Sequence, residues 1–446
     1  MRNYLCILVC ARLACASLQI IPGATWTSPN TGHHVQAHGA GFIEVSGTYY
    51  MIGEDKTNGS AFQNINCYSS TNLVEWKFEN ALLSRTASGD LGPDRVVERP
   101  KVIYNDKTST YVMYLHIDDS GYGEAKVGVA TSSSVCGDYQ YRGSFNPLGQ
   151  QSRDIGLFKD DDGSGYLLTE DRPNGLRIVK LSADFLNTTA NTYLWGDHFE
   201  SPAVLKKDGY YFMFGSHLSG WNPNDNVYSY AKSLSGPWSS WTTFADVGSN
   251  TYWSQTNYIL PFGESAIYMG DRWQPSNLMR STYIWLPLDI SGSKVTLKNR
   301  SSWVPNVKEK TWSDSPASTK IEADKATLSG GAKTVSCSGC SGGQAVGWVG
   351  GPSGGKLTFS GIQSSGNQQA TVRIAYANGD ETERYANVVV NGRAQKLAFL
   401  PTGGGQSAGD SSLNCELVAG SGNAIVIEGL DGAYGPDVDL VSIPEN

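Results

Sequence analysis

Short apolar runs separated by turn residues recur between residues 39 and 269, and they follow one plan. Each copy starts with a polar residue, continues as a short apolar strand, turns, and returns as a second strand that carries aromatic residues. Short apolar runs bounded by turn residues predict β-strands rather than helices. The first strands cover 39–43, 98–103, 154–158, 200–204 and 255–260, and the second cover 48–51, 110–113, 165–168, 209–212 and 266–269.

The spacing of the copies predicts their arrangement. Aligned on Tyr49, Tyr111, Tyr166, Tyr210 and Ile267, they lie 62, 55, 44 and 57 residues apart, near the length of a four-stranded propeller blade. Five copies therefore predict a five-bladed β-propeller over residues 19–305. In a propeller the first strand of each blade lines the central axis, so equivalent positions meet at one mouth of the channel. Those positions hold Gly39, Glu98, Asp154, Glu200 and Gln255.

Further polar and aromatic residues follow the second strands or lie in the connecting loops, and we expect them to extend the same pocket. A sugar ring presents apolar C–H patches and a rim of hydroxyl groups, which stacked aromatic faces and polar side chains can bind. Each tryptophan also fits a packing role between blades, and for Trp273 both interpretations stay open. The predicted pocket residues are Glu54, Tyr122, His217, Trp221, Arg272 and Trp273.

Glu200 is the strongest candidate for proton transfer. It follows Phe199 and lies near Trp195, and Pro202 favours extended backbone at the start of a strand. Loss of solvation against these rings would raise the pKa of the carboxyl group and suit it to donating a proton. The alternative is a solvated glutamate at a strand end, but acidic or amide residues at four matched positions of a repeat favour a site.

The pattern changes after Leu288. Residues 306–318 are polar and have no apolar period, so we expect a linker there. Residues 319–446 contain alternating runs at 370–375, 387–390 and 424–427, which predict a β-sandwich of the jelly-roll type. The predicted fold class is all-β, a five-bladed β-propeller followed by a β-sandwich module.

Charge and the N-terminus indicate the kind of partner and the compartment. The net charge of −8 comes from 34 basic and 42 acidic residues without a basic cluster, which argues against nucleic acid and anionic membranes and favours a neutral polymer. Residues 1–18 combine Arg2, an apolar run and Ala14-Cys15-Ala16, so we expect a secretory signal peptide and a soluble extracellular protein. Candidate glycosylation sites are Asn58, Asn187 and Asn299.

Five cysteines follow the predicted signal peptide, and an oxidising compartment favours disulfides between them. We expect Cys67 to pair with Cys136, and Cys415 to pair with either Cys337 or Cys340, which leaves one thiol. Zinc at Cys337-Ser-Gly-Cys340 is the competing interpretation, but no second pair or nearby histidine completes a tetrahedral set.

Four motifs in this order on a propeller resemble glycoside hydrolase family 43, and most closely its fungal exo-β-1,3-galactanases: Glu98-Arg99-Pro100, Ser152-Arg153-Asp154, Glu200-Ser201-Pro202 and Ser254-Gln255. The resemblance implies that Glu200 is the general acid, that Asp154 tunes and orients it, and that hydrolysis inverts the anomer. Most members carry an aspartate base where this chain has His38-Gly39-Ala40. The galactanases are similar in lacking it, so either Gln255 in an unusual tautomer or Glu98 through water takes the proton.

The C-terminal third resembles carbohydrate-binding module family 35, through Ile321-Glu322-Ala323-Asp324, residues 343–348, residues 376–380 and Asp437-Val438-Asp439. The resemblance implies a structural Ca²⁺ held by Glu322, Asp324 and Asp439, whose oxygens are hard ligands. It also implies a sugar site. That site would contain Trp348, Asn378, Asp380, Arg384 and Asp437. The alternative is that these acids cap strand ends in a plain sandwich.

Together these interpretations predict a secreted, inverting exo-hydrolase that releases galactose from β-1,3-galactan, for example in arabinogalactan, and that needs no cofactor for catalysis. We expect a monomer that binds neither nucleic acid nor membrane. The alternatives are an arabinofuranosidase or xylosidase on the same scaffold, and a secreted lectin that has lost its base.

Overall fold

The computed structural model describes residues 18–445 and consists almost entirely of strands, which confirms the all-β prediction. The predicted signal peptide lies outside the described residues except for Leu18. Within residues 18–445 no helix is long and apolar enough to cross a membrane. Short 3₁₀ turns occur at Pro147–Gly149, Leu278–Arg280, Ala323–Lys325 and Ser341–Gly343.

Five four-stranded antiparallel sheets follow one another along the chain, and each begins with one predicted copy of the repeat. In each sheet the strands lie side by side in chain order. The first sheet contains β1 (His38–Val45), β2 (Thr48–Glu54), β3 (Asn64–Ser70) and β4 (Lys77–Ser84). The second contains β5 (Arg95–Asn105), β6 (Thr110–Asp119), β7 (Lys126–Ser132) and β8 (Gln140–Phe145).

The remaining three sheets have the same plan. The third contains β9 (Ile155–Lys159), β10 (Gly165–Asp171), β11 (Gly175–Leu181) and β12 (Thr188–Leu194). The fourth contains β13 (Phe199–Lys207), β14 (Tyr210–His217), β15 (Val227–Ala231) and β16 (Thr242–Thr243). The fifth contains β17 (Gln255–Phe262), β18 (Ser265–Arg272), β19 (Thr282–Ser291) and β20 (Lys294–Leu297).

Apolar side chains pack between each pair of neighbouring sheets. Phe212, Met213 and Phe214 on β14 are all fully buried, because the sheet is covered on both faces. A strand covered on both faces reads as a continuous apolar run, and this accounts for the aromatic second strands. One cluster joins the fifth sheet to the first, through Trp285 and Phe42. The first strands also contact one another in turn, from β1 through β5, β9, β13 and β17 back to β1.

The C-terminal part consists of two sheets around one core. One sheet has the order β25-β26-β33-β28-β31, with β23 beside β33, and the other has the order β24-β27-β32-β29-β30. Ile374 from the first sheet and Val388 and Ile427 from the second are fully buried in the same cluster. The strands are β23 (Ser318–Glu322), β24 (Thr327–Ser329), β25 (Lys333–Ser336), β26 (Gln344–Gly347), β27 (Lys356–Ser364), β28 (Gln368–Ala377), β29 (Arg384–Val390), β30 (Arg393–Phe399), β31 (Gly409–Leu417), β32 (Gly420–Gly429) and β33 (Asp437–Pro444).

The segment predicted as an irregular linker contains regular structure. A hairpin of β21 (Trp303–Asn306) and β22 (Thr311–Asp314) occupies most of it. Trp303 is fully buried and its indole N–H donates to the backbone oxygen of Trp285 at 2.9 Å. The mostly polar composition did not predict this hairpin, which packs through Trp303, with Val307 and Trp312 partly buried against the same cluster.

The N-terminal segment, residues 19–36, connects the two parts of the chain. The backbone N–H of Gln19 donates to Oγ1 of Thr371 at 2.9 Å, and Thr25 forms a parallel bridge with Ser411. Ile20 forms a second bridge with Trp303. The segment therefore lies against both the five-sheet part and the two-sheet part.

The disulfide prediction is confirmed for one pair and wrong for the other. Cys67 on β3 pairs with Cys136, as expected. Cys337 pairs with Cys340, three residues away, and the Cys415 thiol is free and buried. Cys415 lies inside the core of the two sheets, and the tight turn between Cys337 and Cys340 brings those two residues together instead.

Candidate active site

The first strands of the five sheets begin around one pocket with a cavity volume of about 310 Å³. Eight residues predicted from the sequence line it: Glu54, Glu98, Tyr122, Asp154, Glu200, Trp221, Gln255 and Trp273. Six further residues complete the wall, namely Arg99, His116, Arg153, Glu170, Arg172 and Gly220. The pocket therefore combines five carboxylates, three arginines and two tryptophans.

β-Bulges aim the acidic side chains. The register of β5 shifts after Glu98, where Arg99 has φ of 52°, and that of β13 shifts after Glu200, where Ser201 has φ of 57°. An inserted residue breaks the strict alternation of side chains along a strand. Arg99 therefore reaches the same pocket as Glu98 although the two are adjacent in sequence.

Glu200 is buried and accepts hydrogen bonds from two neighbours. Its Oε1 accepts hydrogen bonds from Nε2 of Gln255 at 2.9 Å and from the backbone N–H of Ser219 at 3.2 Å. Burial, followed by the charges of Asp154 and Glu170, raises the pKa of Glu200 to about 8. The carboxyl group is thus mainly protonated at neutral pH. Because Oε1 accepts two hydrogen bonds, the proton lies on Oε2.

Gln255 has a defined orientation. Its Oε1 faces Nη2 of Arg99 at 2.5 Å and Nε1 of Trp273 at 2.8 Å. Arginine and the indole N–H can only donate, so the atom between them must be the amide oxygen. The amide nitrogen is consequently directed to Glu200.

Asp154 lies beside the backbone that follows Glu200. Its Oδ2 accepts from the backbone N–H of Ser201 at 3.1 Å and from the Ser201 hydroxyl at 2.8 Å. The same oxygen lies 2.9 Å from Nη2 of Arg99. Asp154 therefore orients the start of the strand that carries Glu200. Its negative charge also raises the pKa of Glu200.

Glu98 is surrounded by donors. Its Oε1 accepts from Nζ of Lys56 at 3.3 Å and from the Tyr122 hydroxyl at 3.2 Å, and its Oε2 lies 3.6 Å from Nδ1 of His116. Burial alone would raise the pKa of Glu98, but Lys56 and His116 outweigh it and lower the pKa to about 2. His116 bonds Asp118 at 3.0 Å, and although burial opposes it, this partner and Glu98 raise the pKa of His116 to about 9. Glu98 is therefore ionised at neutral pH.

Glu54, not residue 39, supplies the carboxylate at the first sheet. The register places His38, opposite Glu54, at the position that Glu98 and Glu200 occupy in their sheets, so the sequence alignment on Gly39 was off by one residue. A Cβ at Gly39 would lie 2.1 Å from Oε1 of Glu54. His38 is buried and bonds Asp271 at 3.0 Å. Glycine at 39 thus leaves room for the Glu54 carboxylate.

Two predicted pocket residues lie elsewhere. Arg272 extends away from the pocket and donates to the backbone oxygens of Tyr252 at 3.1 Å and Trp253 at 3.4 Å. His217 is exposed and its ring packs on Phe199 at 5.2 Å. Side chains alternate along a strand, so Arg272 and His217 face the opposite side of their strands from the residues next to them.

Aromatic rings form one wall of the pocket. Trp221 and Trp273 meet edge to face at 4.7 Å. Lys56 lies 5.2 Å from the Trp221 ring centre, and Arg99 lies 5.8 Å from that of Trp273. Trp273 combines both roles that its sequence context allowed, since it lines the pocket and is almost fully buried.

Two triads of side chains in the pocket are close enough to hold a metal ion, Glu98 with His116 and Asp154, and Asp154 with Glu170 and Glu200. Cationic side chains already pair with these groups. Lys56 lies on Glu98, Arg99 on Asp154, and Arg172 on Glu170.

The two-sheet part carries a second pocket, of about 370 Å³, that Trp348, Arg384, Asp437 and Tyr434 line. Trp348 is 49% exposed and meets Tyr434 edge to face at 5.7 Å. Asp380 pairs with Arg384 at 2.7 Å. Asn378 does not belong to this site. It is fully buried, and its Nδ2 donates to the backbone oxygens of Thr382 and Phe399.

The three acids predicted to bind calcium are only partly together. The backbone N–H of Ser341 donates to both oxygens of Asp439, at 3.0 and 3.1 Å, and its hydroxyl donates to Glu322 at 2.9 Å. Asp324 instead pairs with Lys325 at 2.7 Å. Among the described residues these acids do not form a set of three ligands within 4.8 Å. Glu322 and Asp439 thus share Ser341 as a donor, whereas Asp324 pairs with a lysine.

A carboxyl group with a raised pKa beside further carboxylates, in a pocket walled by tryptophan, is the arrangement that a glycoside hydrolase needs. Comparison with known proteins gives the family. The sequence model of glycosyl hydrolases family 43 matches residues 37–259, and that of the CBM13 domain of alpha-galactosidase matches residues 356–441. A search of curated protein sequences gave no match.

Solved structures agree with the family match. The exo-β-1,3-galactanase of Phanerochaete chrysosporium, with galactose, is 41% identical over 95% of this chain and 100% of that chain, with a TM-score of 0.68. A variant of that enzyme was solved with β-1,3-galactotriose. The exo-β-1,3-galactanase of Clostridium thermocellum is 24% identical over 94% and 99%, with a TM-score of 0.63, and shares the fold. The chain belongs to glycosyl hydrolases family 43 and carries a C-terminal carbohydrate-binding module.

Proposed function

We propose that this hydrolase removes galactose units from the ends of β-1,3-galactan chains, such as the backbone of arabinogalactan, with inversion of the anomer. The similarity to the Phanerochaete galactanase over its whole length supports the substrate class. The observation that carries the mechanism is Glu200, a buried carboxyl group with a raised pKa at the floor of the pocket.

Glu200 is the general acid in this proposal. Its proton lies on Oε2, since Gln255 and Ser219 both donate to Oε1. A neutral carboxyl group at neutral pH can protonate the leaving oxygen, and general acid assistance contributes on the order of 10²–10⁴ in rate. Asp154 raises the pKa of Glu200 and fixes the adjacent backbone.

The contacts favour Glu98 over Gln255 as the acceptor of the water proton. The oxygen of Gln255 already accepts from Arg99 and Trp273, so a tautomer with a hydroxyl at that atom would face two donors. Glu98 is ionised, and although its low pKa weakens it, a carboxylate is still a stronger base than an amide. Carboxylate oxygens of Glu98 and Glu200 each lie within 4.8 Å of Asp154. Gln255 positions Glu200 and the water.

The architecture supports the same proposal. We infer that the five sheets are the blades of a five-bladed propeller over residues 19–305, because their first strands contact one another in a ring. The module at 319–446 would be a jelly-roll related to family 35 and would hold galactan at Trp348, Arg384 and Asp437, with Ca²⁺ near Glu322 and Asp439. The protein would be a secreted monomer, glycosylated at exposed sequons. Asn58, Asn187 and Asn299 are all exposed.

The experiment that tests this function is hydrolysis of β-1,3-galacto-oligosaccharides followed by NMR. We expect galactose to appear one unit at a time and first as the α-anomer. Initial release of β-galactose would contradict inversion, and release of internal fragments would contradict exo action. Binding of galactan without any reducing sugar would favour the lectin alternative, and preference for arabinofuranosides or xylosides would favour the other hydrolase.

A further inference from the structure

The four residues Asn250–Trp253, just before Gln255, form one left-handed turn. Their φ angles are 52°, 50°, 56° and 64°. Left-handed helical backbone is unfavourable for residues other than glycine. Four such residues in succession persist only where surrounding contacts hold them.

The contacts that hold this turn come from two sides of the pocket wall. The carboxylate of Asp225 accepts from the backbone N–H of Gly248 at 2.6 Å and of Asn250 at 2.7 Å. Oγ1 of Thr251 accepts from the backbone N–H of Asn226 at 2.7 Å. On the other side, Arg272 donates to the carbonyls of Tyr252 and Trp253.

The turn ends two residues before the pocket residue Gln255, so it lies beside the pocket along the chain. Asn226 closes the loop 218–226, which also supplies Trp221 to the pocket and the Ser219 N–H to Glu200. Arg272 is followed directly by Trp273, another wall residue. The turn is thus linked to both tryptophans of the wall, to Trp221 through Asn226 and to Trp273 through Arg272.

Trp253 is the part of this turn that packing does not explain. Its side chain is 55% exposed, which is more than that of Trp348 in the module pocket at 49%. A large aromatic side chain that is exposed on a strained turn held by several hydrogen bonds does not stabilise the core. An exposed indole ring does suit the apolar C–H face of a sugar.

We propose that Trp253 is a platform for galactose units of the chain outside the pocket, on the leaving-group side of the bond that is cut. This rests on the proposed function, because an exo-hydrolase that buries one end of the polymer leaves the rest of it across the rim. The strained turn holds the ring at that rim. Trp253 therefore contributes to binding of long chains more than of short ones.

The test compares kcat/KM on β-1,3-galactan and on β-1,3-galactobiose for the full chain. Trp253→Asn removes the ring and keeps a residue that tolerates left-handed backbone. We expect the polymer-to-disaccharide ratio of kcat/KM to fall about tenfold, mainly through KM on the polymer, and Trp253→Tyr to restore most of it. Val247→Gln, at an exposed side chain three residues before the turn, is the matched control and should leave the ratio unchanged.

Two results would overturn the proposal. An unchanged ratio in Trp253→Asn would show that the ring binds no outer sugar. An equal fall on both substrates would show that the turn acts only by positioning Gln255. If Trp253→Asn folds poorly, titration of Glu200→Gln with longer galacto-oligosaccharides should quench tryptophan fluorescence more than in Glu200→Gln/Trp253→Tyr, and equal quenching counts against the platform. A wild-type enzyme inactive on both substrates would instead refute the proposed function.

Discussion

The amide nitrogen of Gln255 donates a hydrogen bond to Oε1 of Glu200 at 2.9 Å, while the amide oxygen accepts from Arg99 and Trp273. The acid and the amide opposite it are therefore linked directly. Inverting hydrolases place their two groups about 6.5–9.5 Å apart to leave room for water. This contact fits Gln255 as a partner of the acid more than as an independent base.

Replacement of the acid should remove most of the activity. We expect Glu200→Gln to lower kcat at least about a hundredfold, because the general acid is lost, while galacto-oligosaccharides still bind. Steady-state kinetics and calorimetry measure the two effects. Glu264→Gln changes a fully exposed glutamate and is the control. Near-normal turnover in Glu200→Gln would show that another residue protonates the leaving group.

The alkaline limb of the pH profile should report Glu200. The acid works protonated, and with its pKa raised to about 8, kcat/KM should fall as the pH rises through about 8. Asp154 raises this pKa through its negative charge, so Asp154→Asn should shift the limb to lower pH. A limb that stays in place in Asp154→Asn would mean that Asp154 acts only through its hydrogen bonds to Ser201.

Trp273→Phe tests the orientation of Gln255. The change keeps an aromatic wall but removes the N–H that donates to Gln255 at 2.8 Å. A lost hydrogen bond at a buried acceptor costs about 1–3 kcal/mol, so we expect kcat to fall about tenfold. Trp221→Phe removes an N–H that does not reach Gln255 and should change kcat less. Equal losses in both variants would argue against a special role for the Trp273 N–H.

Thiol counting under denaturing conditions checks the cysteine pairing. Without reductant, alkylation of the chain from Leu18 onward should label Cys415 alone, since Cys67–Cys136 and Cys337–Cys340 are paired. Removing Cys67 and Cys136 together should lower the free energy of unfolding by about 2–4 kcal/mol. A peptide linking Cys415 to Cys337 or Cys340 would contradict the structure.

The module pocket should retain the protein on polymer. In the Glu200→Gln background, we expect Trp348→Ala to weaken adsorption to insoluble β-1,3-galactan about tenfold, because it removes the most exposed ring of that pocket. Val418→Ala changes an exposed apolar side chain outside that pocket and is the control. Equal adsorption of both variants would place polymer binding elsewhere.

The repeat allowed the five sheets and most of the pocket to be predicted, since matched positions on first strands converge whatever the loops do. The pocket residues on the second strands were predicted less well. Their register opposite the first strands gives Glu54, His116, Ser216 and Asp271 as matched positions, and Glu170 bonds Asp154 in the same way. Of these matched positions, Glu54, His116 and Glu170 line the pocket. The predicted residues His217 and Arg272 each lie one position beyond a matched position, and in a strand one residue reverses the face.

Bulges explain the other differences. Strict alternation predicts that Arg99 points away from Glu98, but the positive φ at Arg99 turns both toward the pocket. The sequence carries no sign of such a bulge, because arginine does not favour that conformation. Asn378 shows a different difficulty. The resemblance to family 35 implied a sugar site for Asn378, but its side chain donates to the backbone oxygens of Thr382 and Phe399.

The N-terminal segment ties residue 19 to residue 371 and residue 25 to residue 411. A ribosome makes the first of these residues long before the last, so the earliest part of the fold must wait for nearly the whole chain before it reaches its final place. Contacts of such long sequence separation slow folding. The order of synthesis and the order of assembly therefore differ in this protein, and truncation of the module would remove the partners of Gln19 and Thr25 in the N-terminal segment.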